Sequence, residues 1–375
     1  MGQKIIKIKS KPSNNNETYD FNKLCNTIKQ WIIRNSLSNV FFVTIRSIKR
    51  YPLILNLIKE TSSVHFTNFT PNPTFEEVME GYRIFKEKKC DAIIAIGGGS
   101  AIDVAKCIKF YNLKNDVVPL LVIPTTAGTG SEATKFAVMY KEGVKTSIED
   151  EHCLPDAVMF DYHFLETLPL YQKKVTLMDA FCHGLESFWS VNSTRESRCY
   201  SKGVLENILE NVDEYLKLNN EAEVCKKIFE ASFFAGKAIN IAKTTAGHAM
   251  CYKITSMYGL AHGHAAILCN KIIFRWMIEN IEQLDCIDSR GRKYVEDVLK
   301  EIAYIFGTEN LIEACDRLDM FVDKLELEVP CASDKEIEEL VLSVNEQRMK
   351  NHPFLISEKN IDTLYKKILN YDIIS

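Results

Sequence analysis

The chain has 375 residues, of which 46% are hydrophobic and 26% are charged. This composition is normal for a folded enzyme and excludes a disordered chain, and the length favours two domains because a domain usually holds about 150 residues. The 46 basic and 50 acidic residues give a formal net charge of −4. The charge balance therefore favours neither nucleic acid nor an anionic membrane surface as a partner.

Targeting signals and cysteine usage predict a soluble cytoplasmic protein. Apolar stretches such as 117–124 are far shorter than the roughly 18 residues that a membrane span needs. The first residues lack the long apolar run of a secretory signal. The 12 cysteines form no Cys-x-x-Cys pair, which in a chain of this length is typical of reduced, mostly buried thiols.

The first part of the chain alternates strand and helix patterns. A Lys-rich run at 5–9 predicts an exposed edge strand. Further strands are predicted at 40–44, 92–96 and 120–123, and helices at about 21–35, 51–60 and 74–88. Short, continuously apolar strands separated by helices indicate a parallel sheet that is covered on both faces.

After about residue 169 the strand patterns disappear and long segments with 3.6-residue periodicity follow, for example 201–218 and 293–306. The predicted architecture is an α/β domain over 1–169 followed by an all-α domain over 170–375.

Two loops rich in glycine and hydroxyl groups follow buried strands. The strand at 92–96 runs into Gly97-Gly98-Gly99-Ser100, and the strand at 120–123 runs into residues 124–132 (PTTAGTGSE). Glycines let backbone amides approach a ligand closely, and a helix N-terminus attracts phosphate. Ser100 and Asp103 are predicted to cap the helix that follows the first loop. Because parallel strands end at one edge of a sheet, a dinucleotide is the natural ligand, although a pair of turns that bind nothing is the alternative.

The second half concentrates one carboxylate and several histidines in short windows. Asp179 and His183 are four residues apart on one helix face, His248 follows, and His262 comes fourteen residues later. One carboxylate and three imidazoles suit Fe²⁺ or Zn²⁺. Hydrogen-bonded core histidines are the alternative interpretation of any one of them.

Together these motifs resemble the iron-containing (group III) alcohol dehydrogenase family. Residues 97–106 are similar to its GGGSxxDxAK motif and residues 124–132 to its PTTxGTGSE motif. Asp179, His183, His248 and His262 have the order and spacing of its metal ligands. Residues 71–74 and Asn351-x-Pro353 also fit, so the resemblance extends over nearly the whole chain.

The resemblance implies a dehydroquinate synthase-like fold in which the first domain binds the nucleotide and the second holds a metal, expected to be Fe²⁺ with Zn²⁺ possible, and it implies a homodimer. It also implies a set of dinucleotide contacts: Asn72, Gly98, Gly99, Ser100, Asp103, Thr125, Thr126, Thr129, Ser131 and Lys145. Many NAD-using members carry an Asp after the second strand, where this chain has Ile45 followed by Arg46. Loss of an anion and gain of a cation favour a 2′-phosphate, so we expect NADPH to be preferred over NADH.

Two more departures concern proton transfer and substrate. Many members carry a histidine where this chain has Tyr252, and His264 is an extra histidine, so Tyr252, His264 or water is expected to deliver the proton. The segment 243–264 is most similar to the subgroup that reduces phosphonoacetaldehyde to 2-hydroxyethylphosphonate. Four residues beside His248 are the expected phosphonate contacts: Lys243, Thr244, Thr245 and Lys253. Solvated helix ends are the alternative for the two lysines.

The expected reaction is metal-dependent, NAD(P)H-linked reduction of a small aldehyde to a primary alcohol, with phosphonoacetaldehyde as the leading substrate. A general short-chain alcohol dehydrogenase or aldehyde reductase is the main alternative. A lyase resembling dehydroquinate synthase fits less well, because that enzyme normally begins its metal set with Glu, where this chain has Asp179.

Overall fold

The computed structural model describes residues 3–7, 21–61, 63–113, 116–217 and 221–371. The ten strands within this part are β1 Lys4–Lys7, β2 Val40–Thr44, β3 Val64–Phe66, β4 Ala92–Gly97, β5 Leu120–Pro124, β6 Phe136–Lys141, β7 Val144–Glu149, β8 Ala157–Phe160, β9 Cys331–Ala332 and β10 Asn370–Tyr371. The helices are α1 Asn22–Arg34, α2 Pro52–Glu60, α3 Phe75–Glu87, α4 Gly99–Asn112, α5 His163–Glu166, α6 Leu170–Trp189, α7 Arg195–Tyr215, α8 Ala222–Ala242, α9 Ala246–Tyr258, α10 His262–Glu279, α11 Arg292–Ile305, α12 Leu311–Asp323, α13 Asp334–Leu342, α14 Glu346–Met349 and α15 Glu358–Ile368.

The chain divides into two compact units. Unit 1 comprises Met1–Leu168 with Lys217–Phe229, and unit 2 comprises Pro169–Leu216 with Glu230–Ser375. The sequence contains no signal for the return of 217–229 to unit 1. One continuous helix, α8, begins in unit 1 and ends in unit 2, so its periodicity does not break where the units divide.

Unit 1 is built on a six-stranded sheet in the order β1-β8-β5-β4-β2-β3, with every neighbouring pair parallel. Successive side chains of a strand point to opposite faces, and here both faces are apolar. Phe41, Val43 and Ile93 pack into one buried cluster, while Phe42 and Ile94 pack into another. The continuous apolar strands of the sequence therefore correspond to a sheet buried on both sides, as predicted.

The order of the strands places a binding edge between β2 and β4. From β2 the chain proceeds to β3 on one side, whereas from β4 it proceeds to β5 on the other side. The connections that leave the carboxyl ends of β2 and β4 therefore diverge, and such a switch point is where open α/β sheets bind ligands. The loop after β2 begins at Ile45, whereas β4 ends at Gly97 and Gly98 alone joins it to α4.

Unit 2 is helical apart from the short β9–β10 pair. Its helix α10 packs on both α6 and α9. α9 ends at Gly259, whose positive φ of 67° reverses the chain so that α10 begins three residues later. This reversal brings the His248 and His262 windows of the sequence close together.

Most predicted elements are confirmed to within a residue or two. The predicted edge strand at 5–9 corresponds to β1, which lies at the edge of the sheet, although residues 8 and 9 lie outside the described residues. Residue 218, the last of the predicted helical segment 201–218, also lies outside them. None of the 12 cysteines forms a disulfide, and nine of them are buried. Among the described residues, no helix combines the length and apolar character that crossing a membrane requires.

Candidate active site

The two glycine-rich loops of unit 1 pack directly against each other. A Cβ atom at Gly98 would lie 2.9 Å from Oγ1 of Thr126, and one at Gly99 would lie 2.8 Å from Cγ2 of Thr129. The backbone amide of Thr125 also donates to the carbonyl of Gly97 at 3.0 Å. The glycines are therefore required by this close approach of the two loops, in addition to any ligand that they admit.

The predicted cap of α4 is wrong. The helix begins at Gly99 with Gly98 as its N-cap residue, and no side chain caps it. The Ser100 hydroxyl donates to the carbonyl of Pro71 instead. A glycine at this position leaves the first amides of the helix without a side-chain acceptor, which is the arrangement that suits a bound phosphate.

Asp103, on α4, and Ser131, in the second loop, link the two loops by a hydrogen bond. The Ser131 hydroxyl donates to Asp103 at 2.6 Å, and the backbone amide of Val138 donates to the same carboxylate at 3.2 Å. The buried Lys106 ammonium donates to Ser131, Thr134 and the carbonyl of Phe136 at 2.8 to 3.0 Å. Burial lowers the pKa of Lys106 to about 8, although Asp103 opposes this shift.

The remaining predicted cofactor contacts of unit 1 lie around these loops. Lys145 lies in β7 of the β6–β7 hairpin, near enough to Asp103 to lower the pKa of that carboxyl, which burial raises overall. Asn72 is exposed in the segment before α3, where its carbonyl accepts from the Thr70 hydroxyl. Ile45 borders the first loop, since a Cβ at Gly97 would lie 3.2 Å from Cγ2 of Ile45.

Unit 2 brings three of the predicted metal ligands, Asp179, His248 and His262, together with their ligand atoms all within 4.8 Å of one another, while the fourth, His183, lies beside Asp179 but outside this group. Asp179 and His183 lie on α6, His248 lies on α9, and His262 is the first residue of α10. Oδ1 of Asp179 lies 3.5 Å from Nε2 of His248 and 3.9 Å from Nε2 of both His183 and His262. The side chain of His262 is 33% exposed whereas the other three are nearly buried, so the cluster is open to solvent on the His262 side.

These separations fit a shared divalent ion better than direct hydrogen bonds. Two donors that each lie about 2.1 Å from one ion at a tetrahedral angle are roughly 3.4 Å apart. Oδ1 of Asp179 and Nε2 of His248 are buried and have no hydrogen-bond partner within the part of the chain that the structure describes. Burial favours the neutral form of Asp179, but His183, with the other two histidines, lowers the pKa of this carboxyl below its usual range.

The helices can approach this closely because residue 263 is a glycine. A Cβ atom at Gly263 would lie 1.9 Å from the carbonyl oxygen of Val175 and 2.7 Å from the backbone amide nitrogen of Asp179. Both atoms belong to the backbone of α6, which cannot rotate away as a side chain can. Gly263 therefore determines the distance between His262 and Asp179.

Glu186, which the sequence analysis missed, fixes the orientation of His248. Its carboxylate lies 2.5 Å from Nδ1 of His248, so Nδ1 carries a hydrogen and Nε2 faces the cluster. Burial lowers the pKa of His248, but Glu186 and Asp179 raise it to about 9, so Nε2 must give up a proton to bind an ion. Thr245 donates to Glu186 from its backbone amide and its hydroxyl, and Asn270 donates from its side-chain amide. The carboxylate is fully buried, yet His248 and these donors lower its pKa to about 2. The sequence signal that identifies Glu186 as a candidate is its position one helical turn after His183 on α6.

The two predicted proton donors have different surroundings. The ring of Tyr252 stacks on that of His262 with 5.4 Å between centroids, and burial raises the pKa of its hydroxyl. Both ring nitrogens of His264 already have partners, since Nδ1 lies 3.1 Å from the Tyr171 hydroxyl and Nε2 lies 2.9 Å from the carbonyl of Glu328. Burial lowers the pKa of His264. This arrangement is typical of a structural histidine and favours Tyr252 of the two.

The predicted phosphonate contacts are not brought together as one anion site. Lys253 forms a 2.5 Å ion pair with Glu339, and Thr245 is occupied by Glu186 and the Trp189 indole. Lys243 adopts a left-handed conformation with a φ of 62° immediately before Thr244. The Thr244 hydroxyl accepts from Arg348 at 2.9 Å, which introduces a cation that the sequence analysis did not consider.

A parallel-sheet unit with two glycine-rich loops, together with a helical unit that holds Asp179 and three histidines, is the arrangement of the dehydroquinate synthase-like fold. The chain belongs to the iron-containing alcohol dehydrogenase family. Residues 19–162 match the family's iron-containing alcohol dehydrogenase domain, and residues 174–369 match its C-terminal domain. The resemblance inferred from the motifs is therefore confirmed.

Curated relatives include alcohol dehydrogenase 4 of Schizosaccharomyces pombe, which is 30% identical over 297 residues covering 72% of this chain and 66% of the relative. Phosphonoacetaldehyde reductase of Streptomyces viridochromogenes is 30% identical over 261 residues, covering 60% of this chain and 65% of the relative. The matches thus span just under two thirds of the length of these two relatives.

The solved structure of sulfoacetaldehyde reductase from Bifidobacterium kashiwanohense in complex with NAD⁺ superposes with a TM-score of 0.84 at 23% identity, over 99% of this chain and 98% of that one. At this level of identity the likeness establishes the fold, which is the predicted one.

Proposed function

We propose that this protein reduces a small aldehyde to a primary alcohol with a nicotinamide cofactor and a divalent metal. The observation that carries the proposal is the convergence of Asp179, His248 and His262, whose ligand atoms lie within 4.8 Å of one another, with Nε2 of His183 3.9 Å from Oδ1 of Asp179. The buried Oδ1 of Asp179 and Nε2 of His248 have no hydrogen-bond partner among the described residues. A buried polar atom without a partner is costly, so it indicates a ligand at that point.

Each group has one task in this proposal. A metal held by the four residues would act as a Lewis acid on the substrate carbonyl, and the bound nicotinamide would supply the hydride. Glu186 keeps Nε2 of His248 directed at the cluster. Tyr252 keeps a proton on its hydroxyl near neutral pH because burial raises its pKa, and we assign it the protonation of the product oxygen.

NADPH is the proposed cofactor in preference to NADH. The supporting observation is Arg46, an exposed cation in the first turn after β2, at the switch point where the adenosine ribose binds in open α/β sheets. Its neighbour Ile45 cannot accept a hydrogen bond from a ribose 2′-hydroxyl. Lys49 and Arg50 lie in the same short helix and add positive charge there.

Phosphonoacetaldehyde is the proposed substrate. It is supported by the 30% identity to the Streptomyces phosphonoacetaldehyde reductase and by the cation of Arg348, which lies 4.9 Å from the centroid of the Tyr252 ring in unit 2. A general short-chain aldehyde reductase is the second candidate, because the Schizosaccharomyces alcohol dehydrogenase is equally identical over a larger share of the chain.

The test is NADPH oxidation by anaerobically purified, Fe²⁺-loaded protein, comparing phosphonoacetaldehyde with propanal and NADPH with NADH. The proposal predicts a kcat/KM for phosphonoacetaldehyde that is well above that for propanal. Equal values would leave a general aldehyde reductase, and a higher kcat/KM with NADH would contradict the cofactor assignment. The Asp179→Ala variant should lose metal and activity together.

A further inference from the structure

Arg348 is a cation of unit 2 that the proposed catalytic residues do not explain. It lies in α14 and is partly buried, with its guanidinium carbon 4.9 Å from the centroid of the Tyr252 ring. That ring in turn stacks on His262 at 5.4 Å with an interplanar angle of only 3°. The guanidinium is therefore separated from the proposed metal ligand by a single aromatic side chain.

The charge of Arg348 is not neutralised by the protein. Within the described ranges, no carboxylate lies within ion-pairing distance of its guanidinium, and the Thr244 hydroxyl is its one side-chain hydrogen-bond partner. By contrast, the charge of Lys253, on the same helix as Tyr252, is matched by Glu339 at 2.5 Å. An unpaired, partly buried guanidinium is unfavourable unless a ligand supplies the anion.

The surroundings hold Arg348 in a fixed orientation. The side-chain amide of Asn351 donates to the carbonyl of Thr244 at 2.9 Å, and Asn192 donates to the oxygen of Asn351 at 2.9 Å. Thr244, which orients Arg348, is thus fixed by two further residues. A guanidinium has five N–H donors in one plane, and here Nη1 bonds Thr244 while Nε and Nη2 have no hydrogen-bond partner among the described residues, so the edge formed by Nε and Nη2 is left to bind an anion.

We propose that Arg348 binds the anionic end of the substrate, which we identify as a two-carbon aldehyde that carries a tetrahedral oxyanion, either a phosphonate or a sulfonate. The two parallel N–H groups on the Nε–Nη2 edge of a guanidinium match two oxygens of such a group in a bidentate pair. In this arrangement the oxyanion lies beside Tyr252 and the carbonyl end points to the His262 side of the metal centre. Arg348 is thereby the residue that determines specificity for an anionic aldehyde, a role that rests on the proposed aldehyde reductase function.

The assignment replaces the lysines in the sequence-based prediction. Lys253 already has its counter-ion, so a substrate anion would have to compete with Glu339 for it. Thr244 keeps a place in the site, because its hydroxyl is held by the same guanidinium that would bind the substrate.

The experiment measures kcat/KM of the metal-loaded enzyme for phosphonoacetaldehyde, sulfoacetaldehyde and propanal, in the wild type and in Arg348→Met. The ratio of kcat/KM for the anionic aldehyde to that for propanal should fall by roughly 30-fold or more in Arg348→Met. Arg348→Lys should lose less, because it keeps the charge but not the bidentate geometry. The anion that gives the larger wild-type ratio is the physiological one of the two.

Two controls separate this role from a structural one. Arg83→Met removes an exposed arginine of unit 1 that pairs with Glu87, and it should leave the ratio within about twofold of wild type. Competitive inhibition of propanal reduction by ethylphosphonate should also weaken in Arg348→Met, which a folding defect that lowers the active fraction would not produce.

The possible failures are distinguishable. A wild type that prefers propanal contradicts the phosphonate assignment of the proposed function and this inference with it. A wild type that prefers an anionic aldehyde, with the ratio and the ethylphosphonate inhibition unchanged in Arg348→Met, contradicts this inference alone. A fall of the ratio in Lys253→Met but not in Arg348→Met would return the anion site to Lys253.

Discussion

The buried polar clusters of the two units differ in how many of their polar atoms have a hydrogen-bond partner. In unit 1, Lys106 is buried among three oxygen partners, and Asp103 accepts from Ser131 and Val138. In unit 2, Asp179 is equally well buried, but its Oδ1 and the Nε2 of His248 have no hydrogen-bond partner among the residues described. Burial thus accompanies paired polar atoms around Lys106, although Oε1 of the neighbouring Glu132 is buried without a partner among the described residues, and it accompanies unpaired ligand atoms in the cluster of unit 2.

This difference separates structural motif residues from ligand-binding ones. Buried polar atoms nearly always have a hydrogen-bond partner, so a fully hydrogen-bonded network needs no bound ligand. By contrast, buried ligand atoms that face one point without a hydrogen-bond partner indicate a bound ion. Asp103 and Ser131 hold the two loops together through their hydrogen bond, and their contact with a dinucleotide stays a prediction. The backbone amides and glycines of those loops are the other groups that would contact a dinucleotide.

The largest expected effect is that of Gly263→Ala, which breaks the geometry of unit 2. The added Cβ would overlap the backbone of α6, so α10 must shift and His262 must leave Asp179. We expect loss of bound metal and destabilisation by several kcal/mol, as for other overpacked cores. Metal analysis and thermal unfolding test this. Gly203→Ala, where the nearest atom is a flexible Phe234 ring carbon at 3.1 Å, is the matched helical control and should retain the metal.

Lys106→Met should break the network of unit 1 without affecting the metal. It removes the ammonium that donates to Ser131, Thr134 and the carbonyl of Phe136, and it removes a positive charge that lowers the pKa of Asp103, at a cost of about 3 kcal/mol. The measurement is the denaturation midpoint together with metal content. Lys86→Met, at an exposed position of α3, should change neither. Loss of metal from a folded Lys106→Met variant would contradict the separation of the two clusters.

Glu132 offers a pH-dependent test of unit 1. This carboxyl is fully buried, and burial raises its pKa from 4.5 to about 7. Because the folded state binds the proton more tightly than the unfolded state, the associated stability is present below pH 4.5 and is lost as the pH rises through 7. Glu132→Gln should therefore be more stable than wild type at pH 8, by up to about 3 kcal/mol, but not at pH 4.5. An equal difference at both pH values in urea unfolding would contradict this account.

Glu186→Gln should weaken the metal centre of unit 2 while leaving its four ligands in place. An amide cannot hold the hydrogen of His248 Nδ1 as strongly as a carboxylate, and loss of such a supporting group typically costs 10- to 100-fold in metal affinity. Competition with a chelator measures the affinity. Glu196→Gln, on the first turn of α7, is a control that should keep the wild-type value.

The sequence was sufficient to predict most elements and the sheet, for identifiable physical reasons. Continuously apolar runs such as 40–44 and 92–96 predict parallel strands that are buried on both faces. The four-residue spacing of Asp179 and His183 predicts that both lie on one face of a helix. Glu186, Arg348 and the position of Gly263 could not be predicted in the same way. Their partners lie 62, 104 and more than 80 residues away, and only packing brings them together.

The helix cap shows a local limit of sequence analysis. Ser100 followed by Asp103 fits a capping pattern, but the tight packing of the loop on Thr126 and Thr129 starts the helix earlier, at Gly99. Tertiary contact between two loops decided a feature that the local pattern had predicted differently.

The most direct test of the central claim is the metal content of the anaerobically purified protein after reconstitution with Fe²⁺ and buffer exchange. We predict one ion per chain in the wild type and in His152→Ala, which alters an exposed histidine paired with Asp150, and no bound ion in His262→Ala or Asp179→Ala. Retention of one ion per chain by His262→Ala or Asp179→Ala would contradict the assignment of this cluster as the metal centre.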